Sequence, residues 1–146
     1  MVCKETSGPV MDPVSQLRAS LMPVLQAWER ELRREYPDVT TNIYDGPVGQ
    51  RTNWQGHNIG IECTFSNAAP DWPDNIALSV SLKHLHQTPL IDSAEVVWGH
   101  PSGYVEASVL PAPVEFSSGR LVELIERLPE LFTALKQAIR RGRPLN

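Results

Sequence analysis

His84 and His86 are the residues of this 146-residue chain best suited by type and spacing to do chemistry. They continue the alternation Ile76, Leu78, Val80, Leu82, so on a β-strand both project from one face near the strand's end. Two imidazoles at i and i+2 can share a metal ion, and Cys63, His57 or His100 can complete a set of ligands. No third ligand stands at a diagnostic spacing, and two histidines that finish a sheet edge are the plainer reading. The sequence therefore predicts no bound metal and no other cofactor. A metal-dependent or small-ligand-binding enzyme built on His84 and His86 is the alternative reading of the chain.

Cys63 is a nucleophile only if it lies exposed beside a base. It shares the phase of Ile61 and Phe65, which predicts a small buried hydrophobe instead. Glu95 and Glu106 flank the turn residues Gly99-His100-Pro101-Ser102-Gly103, and a hairpin there sets them opposite one another on its outer face. Paired carboxylates do acid–base work when burial separates their pKa values. On an open sheet face they act as surface charge. Ser102 lacks the G-x-S-x-G surroundings of a nucleophile elbow. Trp54 and Trp72 stand in polar segments with glycine or proline beside them, where a tryptophan either folds back on the core or anchors an interface.

The elements that must hold these residues follow from periodicity. Asp12-Pro13 starts a helix, with aspartate as N-cap and proline at the first helical position. Val14, Leu17, Leu21, Leu25, Trp28 and Leu32 form one apolar stripe. Pro23 predicts a kink in it, and Tyr36-Pro37 ends it. Val39 to Tyr44 is a short strand, Asp45-Gly46-Pro47-Val48-Gly49 turns it, and residues 51–55 read as part of a wide hairpin loop. His57 to Phe65 and Ile76 to Leu82 alternate cleanly. Residues 90–110 form the hairpin, with Ala94, Val96, Trp98, Val105, Ala107 and Val109 facing a core. Pro111-Ala112-Pro113 then breaks the sheet. Ser117-Ser118 caps a second helix whose stripe runs from Leu121 to Ile139, with a kink or break predicted at Pro129. Arg140 to Arg143 suit its C-terminus.

The order is helix, about five strands, helix. Sequential strands on short connections imply an antiparallel meander. Two apolar helical stripes and one apolar sheet face imply a two-layer α+β sandwich, with the meander flanked by an N-terminal and a C-terminal helix. Residues 1–11 read as a flexible N-terminal lead-in and residues 12–146 as a single α+β domain.

Composition narrows the function. The formal net charge is −4, which disfavours general nucleic-acid binding because that needs many phosphate-neutralising cations. Cys3 and Cys63 make no disulfide framework, and the first residues carry no apolar stretch of signal-peptide length, so a reducing cytoplasm is the expected compartment. No run approaches the ~20 apolar residues of a membrane span. With no catalytic set legible, the expectation is a small acidic protein-binding module, for instance a bacterial toxin-neutralising immunity protein or a secretion chaperone. Its expected partner is another protein, basic in character, and a homodimer is compatible with the sequence. The expected binding surface is the outer sheet face with Glu62, Lys83, Glu95, Tyr104 and Glu106, and the segments of Trp54 and Trp72 are a second set of anchors.

Overall fold

A computed structural model of the chain describes residues 12–51, 54–66, 73–85, 88–99 and 103–142. Helix α1 (Pro13–Glu35) is followed by strands β1 (Val39–Arg51), β2 (Trp54–Phe65), β3 (Asn75–Leu85), β4 (Thr88–Trp98), β5 (Val105–Ser108) and β6 (Val114–Glu115), then by helix α2 (Ser118–Gly142). Strands β1 to β5 lie in sequence order, each antiparallel to the next, and β6 adds to β4. The architecture is the two-layer α+β sandwich that the periodicities imply, with both helices against one face of the sheet.

The helix ends are set by local chemistry. Asp12 Oδ1 accepts from the Ser15 backbone N–H at 2.8 Å, and Ser117 Oγ accepts from the Arg120 backbone N–H at 3.1 Å. Each satisfies a donor that the first helical turn leaves without a partner. Neither internal proline divides its helix. Pro23 and Pro129 both sit on solvent-exposed faces, where water can take the carbonyl that loses its donor.

The core lies between this helical layer and one side of the sheet. Leu17, Leu21, Leu25 and Leu32 of α1 and Leu121, Leu124, Leu128, Leu131 and Leu135 of α2 are buried there, against Ile59, Ile61, Leu78, Val80 and Val96. Trp28 stacks on Phe132 with ring centroids 4.4 Å apart, joining the two helices. Lys136 of α2 reaches Glu31 at 2.5 Å and Glu35 at 3.2 Å on α1.

Two parts of the sheet depart from the sequence-based expectation. The segment from Asp45 to Gln55 is not a wide loop, because β1 continues to Arg51 and β2 begins at Trp54. Gly46 and Pro47 are tolerated inside β1 because it is an edge strand, where a missing N–H leaves no ladder bond empty on the open side. An irregularity between Val48 and Gln50 takes up the mismatch. At the other edge, β4 and β5 slip between Val96 and Val97, so that Val96 pairs with Ala107 and Val97 with Val105. Glu106 is the extra residue of this bulge, and such a residue changes the facing of its strand. Val105, expected in the core, is exposed. Gly103 takes φ +60°, the left-handed turn conformation glycine accepts without strain.

Candidate functional site

The helix-free side of the sheet carries Glu62, Lys83 and Glu95 of the residues the sequence nominates. Its central row runs Tyr44, Gly60, Ser79, Glu95 and Ser108 across five strands. The row beside it runs Asn42, Glu62, Ala77, Val97 and Val105. Lys83 stands two rows from the centre on the other side, paired with Gly56 and Leu90. Small residues therefore floor the middle of the face, and Tyr44 lies across them. A Cβ on Gly60 would stand 2.6 Å from the Tyr44 hydroxyl and 2.1 Å from the Leu78 carbonyl oxygen. Glycine there lets the ring span β2, and the Tyr44 hydroxyl is hydrogen-bonded with Ser79 on β3. This contact explains why Ser79 is buried although no helix covers it.

Electrostatics distinguish this face. Burial first, then the nearby charges of Glu62 and Glu95, push the Tyr44 hydroxyl above the ordinary tyrosine range, against the Ser79 hydrogen bond. Partial burial also raises Glu95, and Asp92, the extra residue of a second β4 bulge, adds to the shift. Among the described residues no ion pair reaches Glu62, Asp92 or Glu95.

Most carboxylates on the helical side differ, although Glu126 of α2 has no ion pair among the described residues. Asp45, Glu29, Glu31, Glu35, Glu106, Glu123 and Glu130 all meet a cation. Glu106 corrects the sequence reading most sharply. It does not oppose Glu95, which pairs with Ser108. It accepts from the buried Trp98 indole N–H at 2.9 Å and from Arg141 of α2. Burial raises its pKa, but these two donors outweigh that and hold the carboxyl below its ordinary range. Its place is structural: it satisfies a buried indole and fastens the end of α2 to the sheet.

The remaining nominated residues separate. Tyr104 is exposed just before β5, away from Lys83. Trp54 opens β2, paired with Arg51 and Leu85, rather than standing in a loop. Trp72, His86, His100 and the side chain of Trp54 lie outside the described residues. His84 ends the inward phase of β3, as expected, and lines a cleft with His57. Among the described residues, no group of three His, Cys, Asp or Glu side chains is placed to hold a metal ion. Cys63 is fully buried and its thiol is pushed up to about 12, chiefly by that burial; it is not a nucleophile. No described helix is long and apolar enough to cross a membrane.

Sequence reasoning missed Tyr44 as the centre of the open face, because Asp45-Gly46-Pro47 reads as a turn and places Tyr44 at the end of a short strand, when the strand continues to Arg51. Compared with known protein families, with curated proteins and with solved structures, the chain matches none.

Proposed function

We propose that the protein is a binding module whose helix-free sheet face receives a basic protein. The observation that carries this reading is the contrast between the two sides of the sheet. Most carboxylates on the helical side are paired with a cation within the fold, Glu126 of α2 being an exception, whereas Glu62 and Glu95 lie near Tyr44 and Asp92 near Glu95, with no cation paired to them among the described residues. A carboxylate that is partly buried and close to like charge is one whose neutralisation by an incoming Lys or Arg lowers its energy. The small floor of Gly60, Ala77 and Ser81 leaves room for such a side chain beside the Tyr44 ring, an aromatic face suited to a cation. A toxin-neutralising immunity protein is the form of this function we favour, with a cationic toxin as the partner. A secretion chaperone for a basic effector is the other form. The protein acts by occlusion, and no catalytic step is assigned to it.

The test is kinetic. A basic partner captured from the native cell and identified is titrated against the wild type and a Glu62→Lys, Glu95→Lys double variant. Association is expected to slow by roughly tenfold at low salt in the variant and to converge with the wild type at high salt. The same slowing with Glu123→Lys, Glu130→Lys on α2, or equal rates for the sheet variant and the wild type, moves the interface off this face and ends the proposal.

A further inference from the structure

Helices α1 and α2 run parallel, because their contact partners rise together along both: Trp28 meets Phe132, Glu31 meets Lys136, and the Tyr36 hydroxyl accepts from Arg140 Nε at 3.0 Å. All these contacts lie in the C-terminal halves. Between the N-terminal halves a groove of about 520 Å³ opens. Ala19 and Ser20 form its α1 wall, and Leu121, Val122, Ile125 and Glu126 its α2 wall. Val122 is more than half exposed there.

The outward surface that continues from this groove carries little charge. On α1 the exposed positions Ala19, Pro23, Ala27, Arg30 and Arg34 follow one another at helical spacing, and on α2 Val122, Glu126, Pro129, Thr133 and Gln137 do the same. The solvent face of a surface helix ordinarily carries charged and polar residues along its whole length. Here the anion Glu126 stands in the N-terminal half, and the cations Arg30 and Arg34 stand in the C-terminal half. Arg34 acts on Glu31. Among the described residues Glu126 meets no cation and Arg30 meets no carboxylate. The paired charges of α2, Arg120 with Glu123 and Arg127 with Glu130, lie off this stripe.

We propose that this outer helical face is the contact surface of a homodimer, in which a second copy docks about a two-fold axis lying across the helices. Such an axis lays the groove half of one copy over the closed half of the other, and every contact then occurs twice. The pairs Trp28–Phe132 and Tyr36–Arg140 set the two helices level at an offset of 104 residues. On that count Glu126 stands level with Met22, one turn before Gln26, and Arg30 stands one turn after it. An axis at the level of Gln26 therefore brings Glu126 of each copy level with Arg30 of the other, so the unpaired anion meets the unpaired cation. Small side chains at Ala19, Ser20 and Ala27 let the helices approach. The face measures about 35 by 20 Å from helix rise and diameter, or about 700 Å² per copy, near the ~800 Å² a side of a standard interface. Because its ion pairs stay exposed, the dissociation constant is expected at roughly tens of micromolar. Both helix-free faces then point outward. The dimer stands whether or not that face takes a basic protein.

The experiment is sedimentation equilibrium of the full chain at low ionic strength, from a few micromolar to several hundred micromolar. A reversible monomer–dimer equilibrium is expected. Arg30→Glu and Glu126→Arg, each alone, set like charges against one another at two places and are expected to weaken the dimer about tenfold. Combined in one chain they rebuild the pair with its signs exchanged, and the dissociation constant is expected to return to within about threefold of the wild type. Ala19→Arg fills the groove and is expected to leave a monomer throughout the range. All three positions are exposed in the single copy, so far-UV circular dichroism is expected to show an unchanged fold. Glu62→Lys with Glu95→Lys, on the opposite side of the sheet, is expected to leave dimerisation as it is. A monomer at every concentration overturns the proposal. So does a dimer that Ala19→Arg leaves intact, a double charge exchange no tighter than its single variants, or a dimer weakened by the change on the sheet face.

Discussion

Leu128 lies near the middle of α2 and is fully buried against the sheet. Replacing it with alanine removes roughly three methylene equivalents from the core, and at about 0.8 kcal/mol each the transfer loss alone is about 2.4 kcal/mol. A cavity term adds to this to the extent that the helix cannot settle into the gap. Helix α2 has little freedom to settle. Arg127 donates to the Val109 carbonyl at 3.0 Å, Lys136 is tied to α1, and Arg141 is tied to Glu106. The expected total for Leu128→Ala is therefore about 3–4 kcal/mol, within the range for buried leucines. Val122 on the same helix is 57% exposed, and Val122→Ala is expected to change stability by less than about 0.5 kcal/mol. Urea unfolding followed by far-UV circular dichroism measures both, with a common slope showing that only the native state changed. The corresponding fall in melting temperature for Leu128→Ala is roughly 10 °C. A loss below about 1 kcal/mol, or midpoints shared by the two variants, refutes the assignment of α2's buried face.

Other outcomes follow from the two sides of the sheet. Because burial and Asp92 raise Glu95, the fold disfavours its ionised form, and stability from this group is full below the unfolded carboxylate pKa and lost as pH rises through the raised value. Glu95→Gln is thus expected to stabilise the protein at neutral pH and to have no effect near about pH 3, which urea midpoints at the two pH values will show. The Cys63 thiol, pushed up to about 12 by burial, is expected to resist thiol-specific reagents in the native state and to react at once after unfolding. In Gly60→Ala the new Cβ meets the Leu78 carbonyl oxygen and the Tyr44 ring, with an expected loss of about 1–3 kcal/mol. Displaced from Ser79 and exposed, Tyr44 is expected to titrate closer to the ordinary tyrosine range, visible in ultraviolet difference spectra.

The sequence made the layers legible where the period was strict. Ile59, Ile61, Cys63 and Phe65, like Ile76, Leu78, Val80 and Leu82, alternate without interruption, and all are buried. It misled where a local signal has two physical meanings. Gly46-Pro47 suits a turn and also an edge strand with one side unpaired, and only the long pairing with β2 separates the two. Glu106 was hidden by a single bulge, which reverses the facing that period-two counting assigns. The Arg18–Asp45–His57 chain joins residues 27 and 12 positions apart. No local pattern encodes such a contact, although His57 and His84 each stood at the end of an apolar phase.

The two helices that cover the core come from opposite sides of the sheet in the chain. Lys136 meets Glu31 across a separation of 105 residues, so the roof closes only through a long-range contact, while the meander beneath it forms from neighbouring strands. Such closures are slow compared with hairpin formation. During synthesis the strands are complete before α2 is made, and Leu78, Val80 and Val96 then wait as a wet apolar surface beside a finished sheet. Transiently uncovered apolar faces of this kind self-associate at ordinary protein concentrations. Refolding yield is therefore expected to fall as chain concentration rises.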